Sequence, residues 1–232
     1  MTVSNVRNSN GSRFTIAILA LLVLVLALYG GVRLVTGDDS HDSGHVPEAE
    51  RVVLRDAAQV LPVLPGLGSL PTGWSVKTGF PGTMQCPAKS PGCDGSSISA
   101  ASEYVPASMV DQVRIELRSY PTIDAATVGY KALAKQQVDR GSGLDPLSLP
   151  DVGGDEVIAV AWRMNNDDGS AGTAATGATS VVRVGTVAVT VFLRDEGAGG
   201  TSLEVLQTLT ATMAARAREA ISGQTPQTGV QL

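Results

Sequence analysis

Residues 180–194, SVVRVGTVAVTVFLR, decide the fold of this 232-residue chain. They form two runs rich in β-branched residues, 180–184 and 187–194, on either side of the dipeptide Gly185-Thr186. β-Branched side chains favour strands, and a glycine opening a two-residue turn fits the type II′ geometry that joins antiparallel strands. The stretch therefore predicts a β-hairpin and an antiparallel sheet built around it.

Further strands are predicted on the N-terminal side of this hairpin. Residues 156–164 are apolar on both sides of the pleat, which predicts a strand at the centre of its sheet. Residues 110–119 alternate between apolar and polar side chains, which predicts a half-buried strand with one wet face. Weaker strand patterns occur at 75–80 and 97–105. The polar positions of the alternating strand are Gln112, Arg114, Glu116 and Arg118.

Two long segments change to a helical period. Residues 122–140 and 201–222 each carry one stripe of mainly apolar side chains and are followed by a glycine, as amphipathic helices often are. The first stripe is Ile123, Ala126, Tyr130, Leu133 and Gln137, and the second is Leu206, Leu209, Met213, Ala217 and Ala220. In the second helix, Arg216 and Arg218 lie towards the negative end of the helix dipole.

This order of elements predicts an α+β fold. We expect a domain at 64–223 with an antiparallel sheet and both amphipathic helices packed on one of its faces. One transmembrane helix should precede it. Residues 36–63 are predicted to be a juxtamembrane linker with a possible short helix, and residues 224–232 a disordered tail.

The predicted transmembrane helix comprises residues 14–35. Its core, FTIAILALLVLVLALYGGV at 14–32, is uncharged and about long enough to cross the hydrocarbon layer. Arg7 and Arg13 precede it and three aspartates follow it, so the positive-inside rule keeps residues 1–13 in the cytoplasm and exports the rest. A cleaved signal peptide and a buried soluble helix are the alternatives. The large residues Leu28 and Tyr29 make a poor cleavage site.

Composition limits the chemistry of the exported part. The net charge is −5 and there is no basic cluster, which argues against nucleic-acid binding. The two cysteines, Cys86 and Cys93, lie on the predicted exported side, where a pair of cysteines is typical of a disulfide. His41 and His45 lie in a linker without rigid support for a metal. The sequence NNDDG at 165–169 lacks the ligand spacing of a calcium loop. We therefore predict no metal and no cofactor.

Three stretches carry a resemblance to a known family: LPTGW at 70–74, IELRSYPTIDAATVGYKAL at 115–133 and VVRVGTVAVTVFLR at 181–194. Over residues 61–222 the chain resembles the extracytoplasmic sensor domains of mycobacterial receptor Ser/Thr kinases of the PknH type, and related envelope lipoproteins. The resemblance implies an α+β fold with a cleft and disulfides, which binds envelope ligands without catalysis. The Ala-, Gly-, Val- and Thr-rich composition also resembles that of actinobacterial proteins.

These features predict a membrane-anchored, extracytoplasmic binding, sensor or scaffold module of the cell envelope that is not an enzyme. Both histidines lie in the linker and both cysteines are paired, so the residues most used for acid–base and nucleophilic catalysis are missing from the predicted domain. Only about 13 residues remain in the cytoplasm, so a signal would need an envelope partner. The expected contacts are the membrane, through one span, and an unknown envelope protein or small ligand. The alternative is a cell-envelope hydrolase that uses paired carboxylates.

Overall fold

The computed structural model of the chain describes residues 52–86, 89–106, 112–139, 145–163, 176–195 and 202–232. These residues belong to a compact unit that spans Pro47–Leu232. The predicted cytoplasmic tail 1–13, the predicted span 14–35 and both histidines lie outside the described residues. Across the ranges that are described, no helix has the length and apolar character to cross a membrane.

The described part of the chain is an α+β fold with an antiparallel sheet, as the sequence predicts. The strands lie in the order β1-β3-β4-β8-β7-β6-β5, and β2 also pairs with β3. The strands are β1 Ser75–Val76, β2 Gly82–Met84, β3 Ile98–Val105, β4 Gln112–Ser119, β5 Asp145–Pro146, β6 Glu156–Arg163, β7 Thr176–Val184 and β8 Val187–Asp195. The helices are α1 Ala57–Val60, α2 Ile123–Asp139 and α3 Leu203–Ile221, with 3-10 turns at Leu61–Val63 and Leu67–Ser69.

The predicted hairpin is present as β7 and β8. Their pairing runs without interruption from Thr176 opposite Asp195 to Val184 opposite Val187. Strand β6 is also present, but its predicted central position is wrong. It pairs along its length with β7, while its other neighbour is the two-residue strand β5. Its side chains are apolar on both sides because both faces of the sheet are covered.

The two long helices lie on opposite faces of the sheet, which corrects the prediction that they share one. Neighbouring residues of a strand point to opposite faces. Val182 of β7 belongs to the core cluster that contains the apolar stripe of α3. Val181, next to it, belongs to the cluster that contains the stripe of α2. The fold therefore has three layers, with α3 on one face and α2 on the other.

The folded unit begins before residue 64, the predicted start of the domain. Leu54, Val60 and Val63 are buried in the same cluster as α3, and the Val52 amide donates to the Ile221 carbonyl at 2.8 Å. The segment predicted as a linker thus includes apolar residues that cover the end of α3. Burial of these side chains supplies the free energy that holds the segment in place.

The segment 224–232 also differs from its prediction as a disordered tail, because the structure places it against the fold. Val230 is buried, and its amide donates to the Ser69 carbonyl at 2.8 Å. The carboxylate of Glu219 accepts from the Thr228 hydroxyl at 2.5 Å and the Gln227 amide at 2.7 Å. The segment has no apolar periodicity, so only these tertiary contacts could reveal its position.

Candidate ligand-binding groove

The predicted disulfide between Cys86 and Cys93 is present, with the two Cα atoms 5.3 Å apart. The loop that it closes is held against helix α2. The Tyr120 hydroxyl donates to the Gly92 carbonyl at 2.5 Å. Gly92 has a φ of +72°, and a Cβ atom there would lie 2.5 Å from Cγ of Leu133 on α2. Glycine is therefore needed at this position, both for the backbone conformation and for the close packing.

A groove of about 420 Å³ opens between this disulfide loop, helix α2 and the face of β4 and β8 that α2 covers. The loop contributes Pro91, the helix contributes Leu133 and Gln137, and the sheet contributes Arg118, Thr190 and Phe192. Most residues of the lining are polar or charged, and Pro91, Leu133 and Phe192 supply apolar contacts between them.

A chain of alternating charges runs from the edge of the sheet into this groove. Glu103 on β3 accepts from Lys77 Nζ at 2.6 Å and from Arg114 Nη1 at 2.8 Å. Arg114 Nε then donates to Glu116 at 2.9 Å, and Arg118 Nη2 donates to the second oxygen of Glu116 at 3.2 Å. Arg118 is the innermost member of this chain, and its residue surface is 7% exposed.

The groove contains buried polar atoms that bind no other described atom. They are Nε and Nη1 of Arg118, Nε2 of Gln137 and Oγ1 of Thr190. Gln137 and Thr190 are 4% and 1% exposed. Most buried polar side-chain atoms in native proteins have a hydrogen-bond partner. Five other unpaired buried atoms in the described residues are serine or threonine hydroxyls outside the groove. The groove is the candidate site because its unpaired groups include an arginine and a glutamine that line the same cavity.

Glu103 is charged under ordinary conditions. The hydrogen bond from Lys77 lowers the pKa of Glu103 most strongly; burial opposes this effect, and the hydrogen bond from Arg114 adds to it. A carboxyl group with a lowered pKa in the folded state stabilises the fold above its unfolded pKa of about 4.3. That contribution is lost as the pH falls through the lower, folded value.

We therefore expect Glu103→Gln to have a lower free energy of unfolding than the wild type at pH 7. This difference should become smaller below about pH 4, because Glu103 is then protonated in the wild type. Urea denaturation of both proteins at pH 7, 5, 4 and 3 measures the difference. Asp145→Asn, at an exposed carboxylate of β5, is the matched control. A difference between wild type and Glu103→Gln that stays constant from pH 7 to pH 3 would contradict the role given to this carboxylate.

Several other residues considered from the sequence lie outside the part of the chain that the structure describes. His41, His45 and the sequence NNDDG at 165–169 lie outside the described residues. Of the loops at 141–154 and 165–177, only residues 145–154 and 176–177 are described, and none of these lines the groove. Over the described ranges, no group of three or more His, Cys, Asp or Glu side chains is arranged to hold a metal ion.

The polar groups of the groove were not identified as a site from the sequence. Two features of the sequence nevertheless pointed to these groups. Gln137 interrupts the apolar stripe of α2, and Arg118 belongs to the alternating strand. The alternation correctly placed Arg118 on the polar face of β4. It could not show that the disulfide loop and α2 cover this end of the face, so that Arg118 is buried.

Comparisons with known proteins give limited information about this chain. No protein-family model matches it, and no curated protein matches it. Among solved structures, it is weakly similar to the extracellular domain of PknH from Mycobacterium tuberculosis, with a TM-score of 0.38 and 12% sequence identity. The match covers 54% of this chain and 66% of that one, slightly less than two thirds of its length.

Proposed function

We propose that the folded unit is a non-catalytic binding module, a sensor or scaffold of the cell envelope, and that its ligand binds in the groove beside the disulfide loop. The groove itself carries this proposal. Its volume of about 420 Å³ lies within the range of small-molecule sites, and its wall is fixed by a disulfide and by glycine packing. A rigid wall lowers the entropy cost of binding.

The proposed location is outside the membrane, with the unit tethered by residues 14–35. Two observations support it. The Cys86–Cys93 disulfide is typical of an oxidising compartment, and the uncharged apolar segment has its arginines on the N-terminal side. Protease added to intact spheroplasts should digest the folded unit, whereas a unit that resists digestion until the membrane is lysed would contradict this location.

The carboxylates near the groove favour binding over catalysis. Glu116 lies between two arginines, and the lowered pKa of Glu103 keeps that group ionised. A glycosidase of the usual kind needs one carboxylic acid with a raised pKa to protonate the leaving group. In the alternative, a cell-envelope hydrolase, Glu103 and Glu116 would be the nearest candidates, and both would have to leave their ion pairs to act.

A ligand screen on the full-length protein in detergent tests the proposal. We expect a compound from a library of envelope components (sugars, peptides and lipid headgroups) to raise the thermal midpoint and to be recovered chemically unchanged by mass spectrometry. Gln136→Trp, which fills the groove from α2, should abolish this binding. Lys131→Trp, at an exposed position of the same helix, is the matched control and should retain it.

Two outcomes would contradict the proposal. Binding that survives Gln136→Trp would place the ligand outside the groove. A library compound that is converted to products, with turnover lost in Glu103→Gln or Glu116→Gln, would favour the hydrolase alternative.

A further inference from the structure

We propose that the groove binds a small organic anion, whose carboxylate or phosphate oxygens accept hydrogen bonds from Arg118, Gln137 and Thr190. This inference rests on the proposed function, because it assigns a ligand class to the same groove. It is carried by three residues on different elements, β4, α2 and β8, that line one cavity and that each have a buried donor without a described partner.

Arg118 is the principal group. Its guanidinium is enclosed, and its one bond to a described residue is from Nη2 to Glu116 at 3.2 Å. Nε and Nη1 have no partner among the described atoms. A buried cation without hydrogen bonds is costly, and the planar guanidinium matches the oxygens of a carboxylate or phosphate. These nitrogens have almost no accessible surface, so an anionic ligand would satisfy them after the side chain turns towards the groove.

Gln137 and Thr190 supply further donors to the same cavity. The amide nitrogen of Gln137 and the hydroxyl of Thr190 are both buried without a partner. Gln137 lies on α2 and Thr190 on β8, so they approach the groove from the helix and from the sheet. An acceptor that bonds to Arg118 would receive further hydrogen bonds from these two groups, since each can donate.

The charge of the groove also favours an anion. Its charged lining residues are Arg114, Arg118 and Glu116, which gives two positive charges and one negative charge, a net of +1. The whole chain has a net charge of −5. The single carboxylate of the lining is already held by both arginines, which offsets its repulsion of an anion.

The apolar residues of the lining indicate that the anion has an organic body. Phe192 is half-buried and Leu133 is buried, and both line the groove together with Pro91. The cavity of about 420 Å³ is much larger than a bare phosphate or carboxylate group. Apolar contacts with the ligand body would add affinity in proportion to the area removed from water.

Calorimetric titration of the full-length protein in detergent tests this inference. The probes are benzoate, phenyl phosphate, inorganic phosphate and the neutral analogue benzamide. We expect benzoate or phenyl phosphate to bind, benzamide to bind at least about 10-fold more weakly than the better of the two, and inorganic phosphate to bind more weakly than phenyl phosphate. The two organic probes show which oxyanion the groove prefers.

Arg118→Gln should weaken binding of the preferred anion by about 10- to 100-fold, the usual value of a charged hydrogen bond. The matched control Arg55→Gln, at an exposed arginine of the N-terminal segment, should leave it unchanged. Thr190→Val preserves the shape of the side chain and removes the donor, so it should weaken binding by about 3- to 10-fold without lowering the thermal midpoint. This second variant tests the inference even if Arg118→Gln does not fold.

The inference is overturned if neither organic anion binds at millimolar concentration, or if Arg118→Gln and Thr190→Val both bind with wild-type affinity. Its failure is distinguishable from that of the proposed function. If a neutral library compound binds to the wild type and no longer binds to Gln136→Trp, the groove is a binding site. Only the assignment of an anionic ligand is then wrong.

Discussion

Replacing Arg216 with alanine is expected to lower the free energy of unfolding by about 3 to 5 kcal/mol, because it leaves one buried and two partly buried carbonyl oxygens without this donor. The guanidinium, 3% exposed, donates to the carbonyls of Pro62 at 2.6 Å, Val63 at 2.7 Å and Thr228 at 2.7 Å. Burial lowers the pKa of Arg216. One side chain of α3 thus joins the N-terminal segment and the C-terminal segment to the helix.

Urea denaturation monitored by circular dichroism measures this change. Arg218→Ala is the matched control, since Arg218 lies two residues further along the same helix but is exposed; we expect it to cost less than about 1 kcal/mol. Arg216→Lys should recover only part of the loss, because an ammonium group cannot reproduce the planar fork of donors. If the free energy of unfolding of Arg216→Ala lies within about 1 kcal/mol of the wild-type value, the N-terminal and C-terminal segments do not depend on this residue.

The local parts of the fold could be predicted from the sequence because each depends on neighbouring residues. The alternation at 110–119 identified β4, and the Gly185-Thr186 turn between two β-branched runs identified β7 and β8. The period of 3.6 residues likewise identified α2 and α3 to within about two residues at each end. In each case, the pattern reports the local backbone conformation and the presence of one buried face.

The position of the helices could not be predicted in this way. An amphipathic stripe shows that a helix has a buried side but not which face of the sheet it covers. The face is decided by alternate strand residues such as Val181 and Val182, and both of these are apolar. The apolar character of β6 on both sides was evidence for two covered faces. The same pattern is typical of a central strand, so it does not by itself place the two helices on opposite faces.

The burial of the two arginines could not be predicted from the sequence for a related reason. Arg118 and Arg216 both have the sequence environment of surface arginines, one on a polar strand face and the other near a helix end. Each is buried by a segment distant in the sequence: the disulfide loop covers Arg118, and residues 62–63 and 228 surround Arg216. Burial of a charged residue by a loop carries no periodic pattern, so only the tertiary structure reveals it.

Leu133→Ala is expected to lower the free energy of unfolding by about 2 to 5 kcal/mol, the usual range for a buried leucine, and also to loosen the wall of the groove. Leu133 is 1% exposed and packs between α2 and Gly92 of the disulfide loop. Its removal leaves a cavity where the helix supports the loop. The hydrogen bond from Tyr120 to the Gly92 carbonyl would still hold the loop at this point.

A measurement other than stability separates these two effects of Leu133→Ala. Under native conditions, dithiothreitol should reduce Cys86–Cys93 faster in the variant, because the rate of thiol–disulfide exchange depends on access to the sulfur atoms. The disulfide of Val138→Ala, at a position of the same helix that is 50% exposed, should be reduced at the wild-type rate. A variant with lower stability but an unchanged reduction rate would show that Leu133 supports the core alone. Faster reduction together with weaker ligand binding would show that the helix, through this side chain, holds the loop in the position that forms the groove.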